Sequence, residues 1–269
     1  MSEDLGFRGK VALVTGSASG IGEAIARRLA AEGASVLVHG HPRQQDAGDT
    51  IVDSIRDAGG RAELMLADLE EPASSASLVG RTIEHFGRVD LLVNNAGVCS
   101  RANLAGTDAG FFDRIIAINL RAPLLLIRAA MPQFLKQGGG RVLNIGSINA
   151  YCGEAALLAY SISKGGLTTM TRNLADAYAA EGVRINQINP GWVLTDNEYQ
   201  IKVAEGLSAN WPNEIPRAHA PAGRIFRPDE IAHFAAMLLS EQAALVNGTV
   251  IDVEQFPLIG RNPVKASGF

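Results

Sequence analysis

A tyrosine and a lysine four positions apart, Tyr160 and Lys164, have the side chains best suited to proton transfer in this sequence. On a helix, residues four apart lie on one face, about one turn from each other. A lysine ammonium beside a phenol favours the phenolate and lowers the tyrosine pKa from its usual ~10. We therefore predict that Tyr160 is a general acid or base and that Lys164 lowers its pKa. Because the same pattern also occurs on solvent-exposed helix faces, the prediction depends on what the fold places around the pair.

Short apolar runs alternate with longer amphipathic stretches along most of the chain. This alternation favours an α/β fold of the Rossmann type, a doubly wound parallel β-sheet with helices on both faces. The strand-like runs are residues 11–14, 36–38, 64–66, 91–93, 142–145, 185–188 and 249–253. Helices are predicted to begin near Gly20, Gln44, Pro72, Asp108, Ala155 and Pro228.

One domain covering residues 1–269 is predicted, because this length suits one large α/β domain and is short for two. Residues 195–222 interrupt the alternation with three prolines and two aromatic residues. We predict that they form a small helical flap over the domain.

Composition narrows the class of protein. The 24 basic and 28 acidic residues nearly balance, so no nucleic-acid partner is expected. Only two cysteines occur, Cys99 and Cys152, which excludes a disulfide scaffold and fits a reducing compartment. The polar N-terminus does not resemble a signal peptide, and no uninterrupted apolar run approaches 18 residues. We expect a cytoplasmic protein without a membrane span or a metal site.

A glycine-rich turn directly follows the first predicted strand and opens a helix. Residues 15–22 are Thr-Gly-Ser-Ala-Ser-Gly-Ile-Gly. Glycines let the backbone approach a pyrophosphate, and a helix N-terminus supplies N–H donors and a positive dipole end. The turn therefore predicts a dinucleotide site. Its members are Gly16, Ser19, Gly20, Ile21 and Gly22.

The spacing T-G-x-x-x-G-I-G differs from the usual G-x-G-x-x-G. Together with several later motifs in the same order, it resembles the short-chain dehydrogenase/reductase family over most of the chain. Asp68 and Leu69 match the adenine-contacting position after the third strand, and Asn94-Asn95-Ala96-Gly97 matches the family's signature after the fourth. Ser147 precedes Tyr160 by thirteen residues, the family's usual interval. Pro190, Gly191, Val193 and Thr195 match the stretch that cradles the nicotinamide carboxamide.

This resemblance implies a role for each reactive side chain in hydride transfer between a nicotinamide and an alcohol or ketone. Tyr160 would pass the proton, and Ser147 would hydrogen bond to the reacting oxygen. Lys164 would also hold the nicotinamide ribose. Asn119 would hold a water that connects Lys164 to solvent. Tyr160, Lys164, Asn95, Ala96 and Gly97 would thus all border the cofactor.

The end of the second strand predicts which cofactor is used. An acidic residue there binds the adenosine ribose and repels a 2′-phosphate, but this chain has Gly40 at that position. His41 and Arg43 follow, where they could meet a phosphate. Against this, Ser19 stands where many NADP-using relatives carry a basic residue. We predict NADP in preference to NAD, with use of NAD or of both left open.

A small molecule is the expected substrate, with a sugar or polyol favoured. Substrate contacts are predicted from Ser147, Asn149, Trp192 and Tyr160. Amides and carboxylates bind sugar hydroxyls, and aromatic rings stack on sugars. The same loops and the flap also supply Tyr151, Glu154, Glu198, Tyr199, Trp211, Asn213 and His219. A 3-oxoacyl thioester or another small ketone is the alternative substrate.

The chain departs from the family after the last strand. Relatives usually carry an Asp-Gly-Gly-like turn, whereas this chain reads Val253-Glu254-Gln255-Phe256-Pro257-Leu258 and continues as a long tail over residues 254–269. Since this end packs across a two-fold interface in many relatives, a homotetramer or homodimer is expected, with Phe256 and Leu258 as candidate interface anchors.

Two other functions remain open at this stage. A non-catalytic cofactor sensor is disfavoured by the intact Ser147, Tyr160 and Lys164. An epimerase or dehydratase is disfavoured because such relatives carry a distinct C-terminal domain.

Overall fold

The computed structural model describes residues 5–151 and 154–256, and within them a single sheet of seven parallel strands. The strands are β1 (Val11–Val14), β2 (Ser35–Gly40), β3 (Arg61–Leu66), β4 (Leu91–Asn94), β5 (Gly140–Ile145), β6 (Val183–Pro190) and β7 (Val250–Val253). Their order in the sheet is β3-β2-β1-β4-β5-β6-β7. The chain therefore starts in the middle of the sheet, builds outward to β3, and returns past β1 to β4, which makes a switch point between β1 and β4.

Helices cover both faces of the sheet. They are α1 (Gly20–Ala31), α2 (Gln45–Asp57), α3 (Pro72–Phe86), α4 (Ala109–Ile116), α5 (Ala122–Lys136), α6 (Leu158–Ala177), α7 (Asp196–Ala204) and α8 (Pro228–Leu239). One core layer contains side chains from α1, α2 and α8, and the other contains side chains from α3, α5 and α6. Strand β1 shows how one strand serves both layers, because Ala12 and Val14 pack in the first and Leu13 packs in the second. The predicted doubly wound Rossmann-type fold is confirmed.

The predicted strands and helices all occur, although their ends shift. The sixth helix begins at Leu158 instead of near Ala155. The helix predicted to begin near Asp108 starts at Ala109, continues through a π-helical turn at Ala117–Arg121, and becomes α5.

This continuous helical stretch, Ala109–Lys136, is long and apolar enough to cross a membrane by length and composition, with a mean hydropathy of 1.5. Half of its most apolar window (50%) is buried inside the domain, where Leu126 and Phe134 of α5 belong to the second core layer. A core helix of a water-soluble domain satisfies the same criterion.

The region predicted as a flap carries α7 and a short 3₁₀ turn at Trp211–Asn213. It has a small apolar cluster of its own, in which Trp211, Ala220 and Ile225 are buried. A short parallel bridge between Val193 and Phe226 ties the two ends of this region together.

Candidate active site

The glycine turn after β1 is shaped by close backbone approach. Gly16 has φ +62° and Gly20 has φ +58°, conformations that glycine adopts without strain. A Cβ atom on Gly16 would lie 2.8 Å from the Cα atom of Ala96. A Cβ atom on Gly22 would collide with the carbonyl oxygen of Gly16 and with Nδ2 of Asn95. Two of the predicted glycines therefore make the turn fit against the loop after β4.

Hydrogen bonds from the Asn-Asn-Ala-Gly segment after β4 stabilise the contact between this loop and the glycine turn. Asn94 Nδ2 donates to Asn144 Oδ1 of β5 at 2.8 Å. Asn95 Nδ2 donates to the carbonyl oxygens of Thr15 and Gly16 at 2.9 and 3.1 Å. The two loops at the switch point are thus held together by side-chain amides.

His39 also holds the glycine turn, and the sequence analysis did not identify it. It is buried at the end of β2, and its Nδ1 accepts a hydrogen bond from the N–H of Gly16 at 2.9 Å. Because Nδ1 is an acceptor, Nε2 carries the hydrogen and donates to the carbonyl oxygen of Ala67 at 3.1 Å. The sequence signal that could have identified His39 was its position one residue before Gly40, at the end of the second strand. Its role depends on a contact between residues 23 apart in sequence.

His39 makes folding stability sensitive to acid. Burial lowers the pKa of His39 from 6.5 to about 4. Between these values the unfolded chain binds a proton that the folded protein does not, so the free energy of unfolding decreases as the pH falls through this window. We expect a loss of about 3 kcal/mol from this residue between pH 6.5 and 4.

Chemical denaturation of the wild type and of His39→Gln across pH 4–7 measures this effect. The variant is expected to show a shallower dependence on pH. His233→Gln removes an exposed histidine of α8 and serves as the matched control. Equal slopes for wild type and His39→Gln would contradict the expectation.

A cleft of about 800 Å³ lies over the glycine turn, at the carboxyl ends of β1, β2 and β4. This size suits a bound cofactor. The predicted cofactor residues that line it are Gly16, Ser19, Gly20, Ile21, His41, Arg43, Asp68, Leu69, Asn95, Ala96, Gly97 and Thr195. Helix α1 points its N-terminus at this cleft, and no side chain caps that terminus. The glycines, the unused N–H groups and the volume together fit a dinucleotide.

A second cleft of about 530 Å³ continues from the first, and both are lined by Ile21, Asn95, Gly97, Val98 and Thr195. The predicted reactive and nicotinamide-side residues that line it are Ser147, Tyr160, Lys164, Pro190, Gly191 and Val193. The structure therefore brings the two predicted groups of residues into one groove.

Tyr160, Ser147 and Lys164 meet in this second cleft. Ser147 caps a 3₁₀ turn after β5, and its hydroxyl lies near enough to the phenol of Tyr160 to lower the pKa of that phenol. Lys164 is 4% exposed, and its Nζ donates to the carbonyl oxygen of Ile145 at 2.8 Å. The same Nζ lies 5.6 Å from the centre of the Tyr160 ring. Helix α6 and the end of β5 thus place the three side chains together.

The prediction that Lys164 lowers the pKa of Tyr160 is wrong for the protein alone. Burial raises the pKa of Tyr160 well above 10, the charges of Cys99 and Glu198 raise it too, and Ser147 lowers it. Burial also lowers the pKa of Lys164 to about 8. The physical reason is desolvation, which disfavours the charged form of each group.

Asn119 lies in the π-helical turn and is fully buried. Its Nδ2 donates to the carbonyl oxygen of Val98 and to Ser163 Oγ, at 2.9 and 3.1 Å, and its Oδ1 accepts from the N–H of Val98 at 2.8 Å. A Cβ atom on Gly97 would lie 3.3 Å from Asn119 Oδ1 and 3.6 Å from Lys164 Nζ. Asn119 therefore fixes the loop that borders Lys164, while its proposed contact with a relay water stays a prediction.

The expected stacking of a sugar on the two tryptophans is not supported by their positions. Trp211 is 3% exposed and stacks on Trp192 at 5.4 Å between ring centres, so the pair forms part of the flap's own packing. Tyr151, Tyr199 and Asn213 also lie outside the cleft lining. The sequence-predicted substrate groups that do line it are Asn149, Glu154, Trp192, Glu198 and His219.

Several charged residues of the cleft were missed by the sequence analysis. Arg101 pairs with Glu154 at 2.7 Å and with Glu205 at 3.2 Å, and Lys202 pairs with Glu205 at 2.7 Å. The pair between Arg101 and Glu205 joins the flap to the loop after β4. No sequence pattern marks them, because Arg101 and Glu205 are brought together only by the fold.

The segment after β7 contributes to the cleft as well. Glu254 and Phe256 line it, and the carboxylate of Glu254 lies against Gly191, where no side chain intervenes. Gln255 accepts from the N–H of Ala222 at 2.8 Å and donates to the carbonyl oxygen of Arg224 at 2.7 Å. The sequence already showed that this segment differs from the Asp-Gly-Gly-like turn that relatives carry after the last strand. Leu258, the second candidate interface anchor, and Cys152 lie outside the described residues.

At the other end of the groove, the position of Gly40 has little room for a side chain. A Cβ atom there would lie 3.0 Å from Ala18 Cβ and 3.1 Å from Leu66 Cδ2. His41 Nε2 lies 3.7 Å from Asp68 Oδ2, and Arg43 lines the same cleft. Over residues 5–151 and 154–256, no group of three or more metal-ligating side chains occurs.

A Rossmann-type sheet with a glycine turn at its switch point, joined to a cleft lined by a serine, a tyrosine and a lysine, defines a nucleotide-dependent oxidoreductase. The sequence profile of the family described as "Enoyl-(Acyl carrier protein) reductase" matches residues 16–255. The chain belongs to the short-chain dehydrogenase/reductase family and is an NAD(P)-dependent oxidoreductase.

Individual relatives are similar over nearly the whole chain. The cis-4-hydroxycyclohexanecarboxylate dehydrogenase of Sinomonas cyclohexanicum is 36% identical over 92% of this chain and 96% of its own. The crystal structure of L-sorbose reductase from Gluconobacter frateurii, complexed with NADPH and L-sorbose, is 30% identical, with a TM-score of 0.88 over 93% of this chain and 97% of that chain. A 7α-hydroxysteroid dehydrogenase complexed with NADH is 31% identical, with a TM-score of 0.85 over 94% of this chain and 96% of that chain.

Proposed function

We propose that this enzyme interconverts a secondary alcohol and a ketone in a polyhydroxylated substrate, a sugar or a polyol, with NADP as the preferred cofactor. The reaction assignment rests on one observation: Ser147, Tyr160 and Lys164 line one cleft, and this cleft is continuous with the cofactor groove. The polar lining of that cleft supports the substrate class, with Asn149, Glu198 and His219 as hydroxyl-binding groups.

The chemistry divides between cofactor and protein. A bound nicotinamide supplies or accepts the hydride. In the oxidative direction the substrate loses hydride from the carbinol carbon and a proton from its oxygen, and Tyr160 receives that proton. Ser147 hydrogen bonds to the same oxygen and stabilises the charge that develops there. Lys164, whose buried Nζ lies beside the tyrosine ring, would hold the nicotinamide ribose.

The preference for NADP rests on the absence of a carboxylate at the end of β2. Ala18 and Leu66 crowd the position of Gly40, so an acidic side chain that would repel a 2′-phosphate has little room there. His41 and Arg43 offer donors at that end of the groove. Asp68, 3.7 Å from His41, is a nearby negative charge that opposes a phosphate.

Apolar side chains exposed on two faces support a homo-oligomer, a tetramer or a dimer. Leu124, Leu135 and Ile162 are 45%, 46% and 46% exposed on α5 and α6, and Phe234 and Met237 are 39% and 41% exposed on α8. We further propose that the enzyme works in the cytoplasm.

An absorbance screen at ~340 nm tests the function, since reduced but not oxidised nicotinamide absorbs there. We expect turnover of sugars or polyols, with kcat/KM higher for NADP than for NAD. Response to 3-oxoacyl thioesters alone would contradict the polyol assignment and favour the alternative substrate class. Inert NADP would contradict the interpretation of Gly40, His41 and Arg43.

A further inference from the structure

Glu198 is held rigidly at the edge of the reactive cleft. It lies in the first turn of α7, where its N–H donates to Oγ1 of Thr195, the residue that caps this helix, at 3.1 Å. Its Oε1 accepts a hydrogen bond from Trp192 Nε1 at 2.7 Å. Trp192 in turn stacks on the buried Trp211, with an angle of 12° between the rings. The flap's packing therefore fixes the direction of the carboxylate.

This carboxylate lines the same cleft as the reacting groups Ser147, Tyr160 and Lys164. Its negative charge raises the pKa of Tyr160 and of Cys99, so it lies within electrostatic reach of both side chains. Glu154 also lines the cleft, but it is paired with Arg101 and its side chain is 65% exposed. Glu198 is thus a fixed carboxylate in the cleft that contains the phenol.

A carboxylate in this position has acceptor capacity beyond the single indole bond, because its two oxygens offer about four lone-pair sites. We propose that Glu198 accepts a hydrogen bond from a substrate hydroxyl adjacent to the reacting carbon, which makes vicinal diols and α-hydroxyketones the preferred substrates. This inference rests on the proposed function and replaces aromatic stacking as the source of selectivity. Hydrogen bonds to charged groups discriminate more strongly than neutral ones.

Glu198→Gln tests the inference, because the amide oxygen can still accept from Trp192 and keep the flap packed while the charge is lost. The probes are trans-cyclohexane-1,2-diol and cyclohexanol, oxidised with NADP and with NAD. We expect the wild type to prefer the diol by about tenfold or more in kcat/KM, and the variant to lose about tenfold of that ratio, mainly through KM. Glu214→Gln, which removes a flap carboxylate outside the cleft, is the matched control and is expected to keep the wild-type ratio.

A structural role alone would lower both rates and leave their ratio unchanged, and that result would overturn the inference. Preference for 2-aminocyclohexanol over the diol would also overturn it, since Glu198 would then bind an ammonium. If the wild type oxidises cyclohexanol as efficiently as the diol, the assignment of Glu198 is wrong and the oxidoreductase function stands. If neither probe nor any member of the sugar and polyol panel is oxidised, the proposed function and the inference are both wrong.

Discussion

Tyr160→Phe is expected to lower kcat by ~10²–10⁴-fold, the range that general acid–base catalysis contributes. The substitution removes the hydroxyl that lies with Ser147 in the reactive cleft and leaves the ring, and hence the packing of α6, in place. The dissociation constant of the cofactor is expected to stay nearly unchanged, because the cofactor cleft is lined mainly by the glycine turn and the loops after β2, β3 and β4. Steady-state kinetics and a fluorescence titration with NADPH measure the two quantities.

Tyr151→Phe is the matched control for this experiment. Tyr151 is 48% exposed, its hydroxyl donates to Asp252 at 3.1 Å, and it does not line the cleft. The same loss of a phenolic oxygen is therefore expected to leave kcat close to that of the wild type. Retention of turnover by Tyr160→Phe would rule out its role in proton transfer. A parallel loss of cofactor affinity would instead point to a structural effect.

Gly22→Ala is expected to weaken cofactor binding by at least tenfold and to destabilise the domain by about 2 kcal/mol. The added methyl group would overlap the carbonyl oxygen of Gly16 and the amide of Asn95, so either the glycine turn or the loop after β4 must move. Both line the cofactor cleft, and a shift of either alters the backbone that faces the pyrophosphate. Cofactor titration and thermal unfolding provide the measurements.

Gly80→Ala makes the same chemical change where there is space. Gly80 is exposed on α3, and a Cβ atom there meets nothing within 4 Å. Because alanine is the better helix former, this variant is expected to gain up to ~1 kcal/mol of stability and to bind the cofactor like the wild type. Wild-type affinity and stability in Gly22→Ala would show that the turn tolerates a side chain, contrary to the geometry described above.

Local pattern was sufficient to predict the fold class. Alternation of short apolar runs with amphipathic stretches placed every strand, and β1 has the bounds expected for it, Val11–Val14. Local chemistry was sufficient for the glycine turn too, since Gly16 and Gly20 need backbone conformations that other residues rarely adopt. These features depend on neighbours within a few positions, which a sequence displays directly.

Contacts between distant residues could not be foreseen in the same way. His39 reaches the N–H of Gly16, Asn95 bonds to Thr15, and Arg101 pairs with Glu205 only because the strand order brings their loops to one edge of the sheet. The C-terminal segment enters the cleft for the same reason, since β7 lies beside β6. No sequence motif marks His39 or Arg101 as the partner in these contacts.

The pair Tyr160 and Lys164 shows which properties follow from the sequence and which follow from the tertiary structure. The sequence by itself determined that a phenol and an ammonium share one face of a helix, within a chain of the short-chain dehydrogenase/reductase type. Only the tertiary structure decided how far each group is removed from water, and this desolvation shifts each pKa so that the neutral form is favoured. It likewise decided that the tryptophans pack on each other and that Glu198 lines the same cleft as the phenol. Charge and solvation depend on every group packed around a site, so they follow from the fold and not from spacing along the chain.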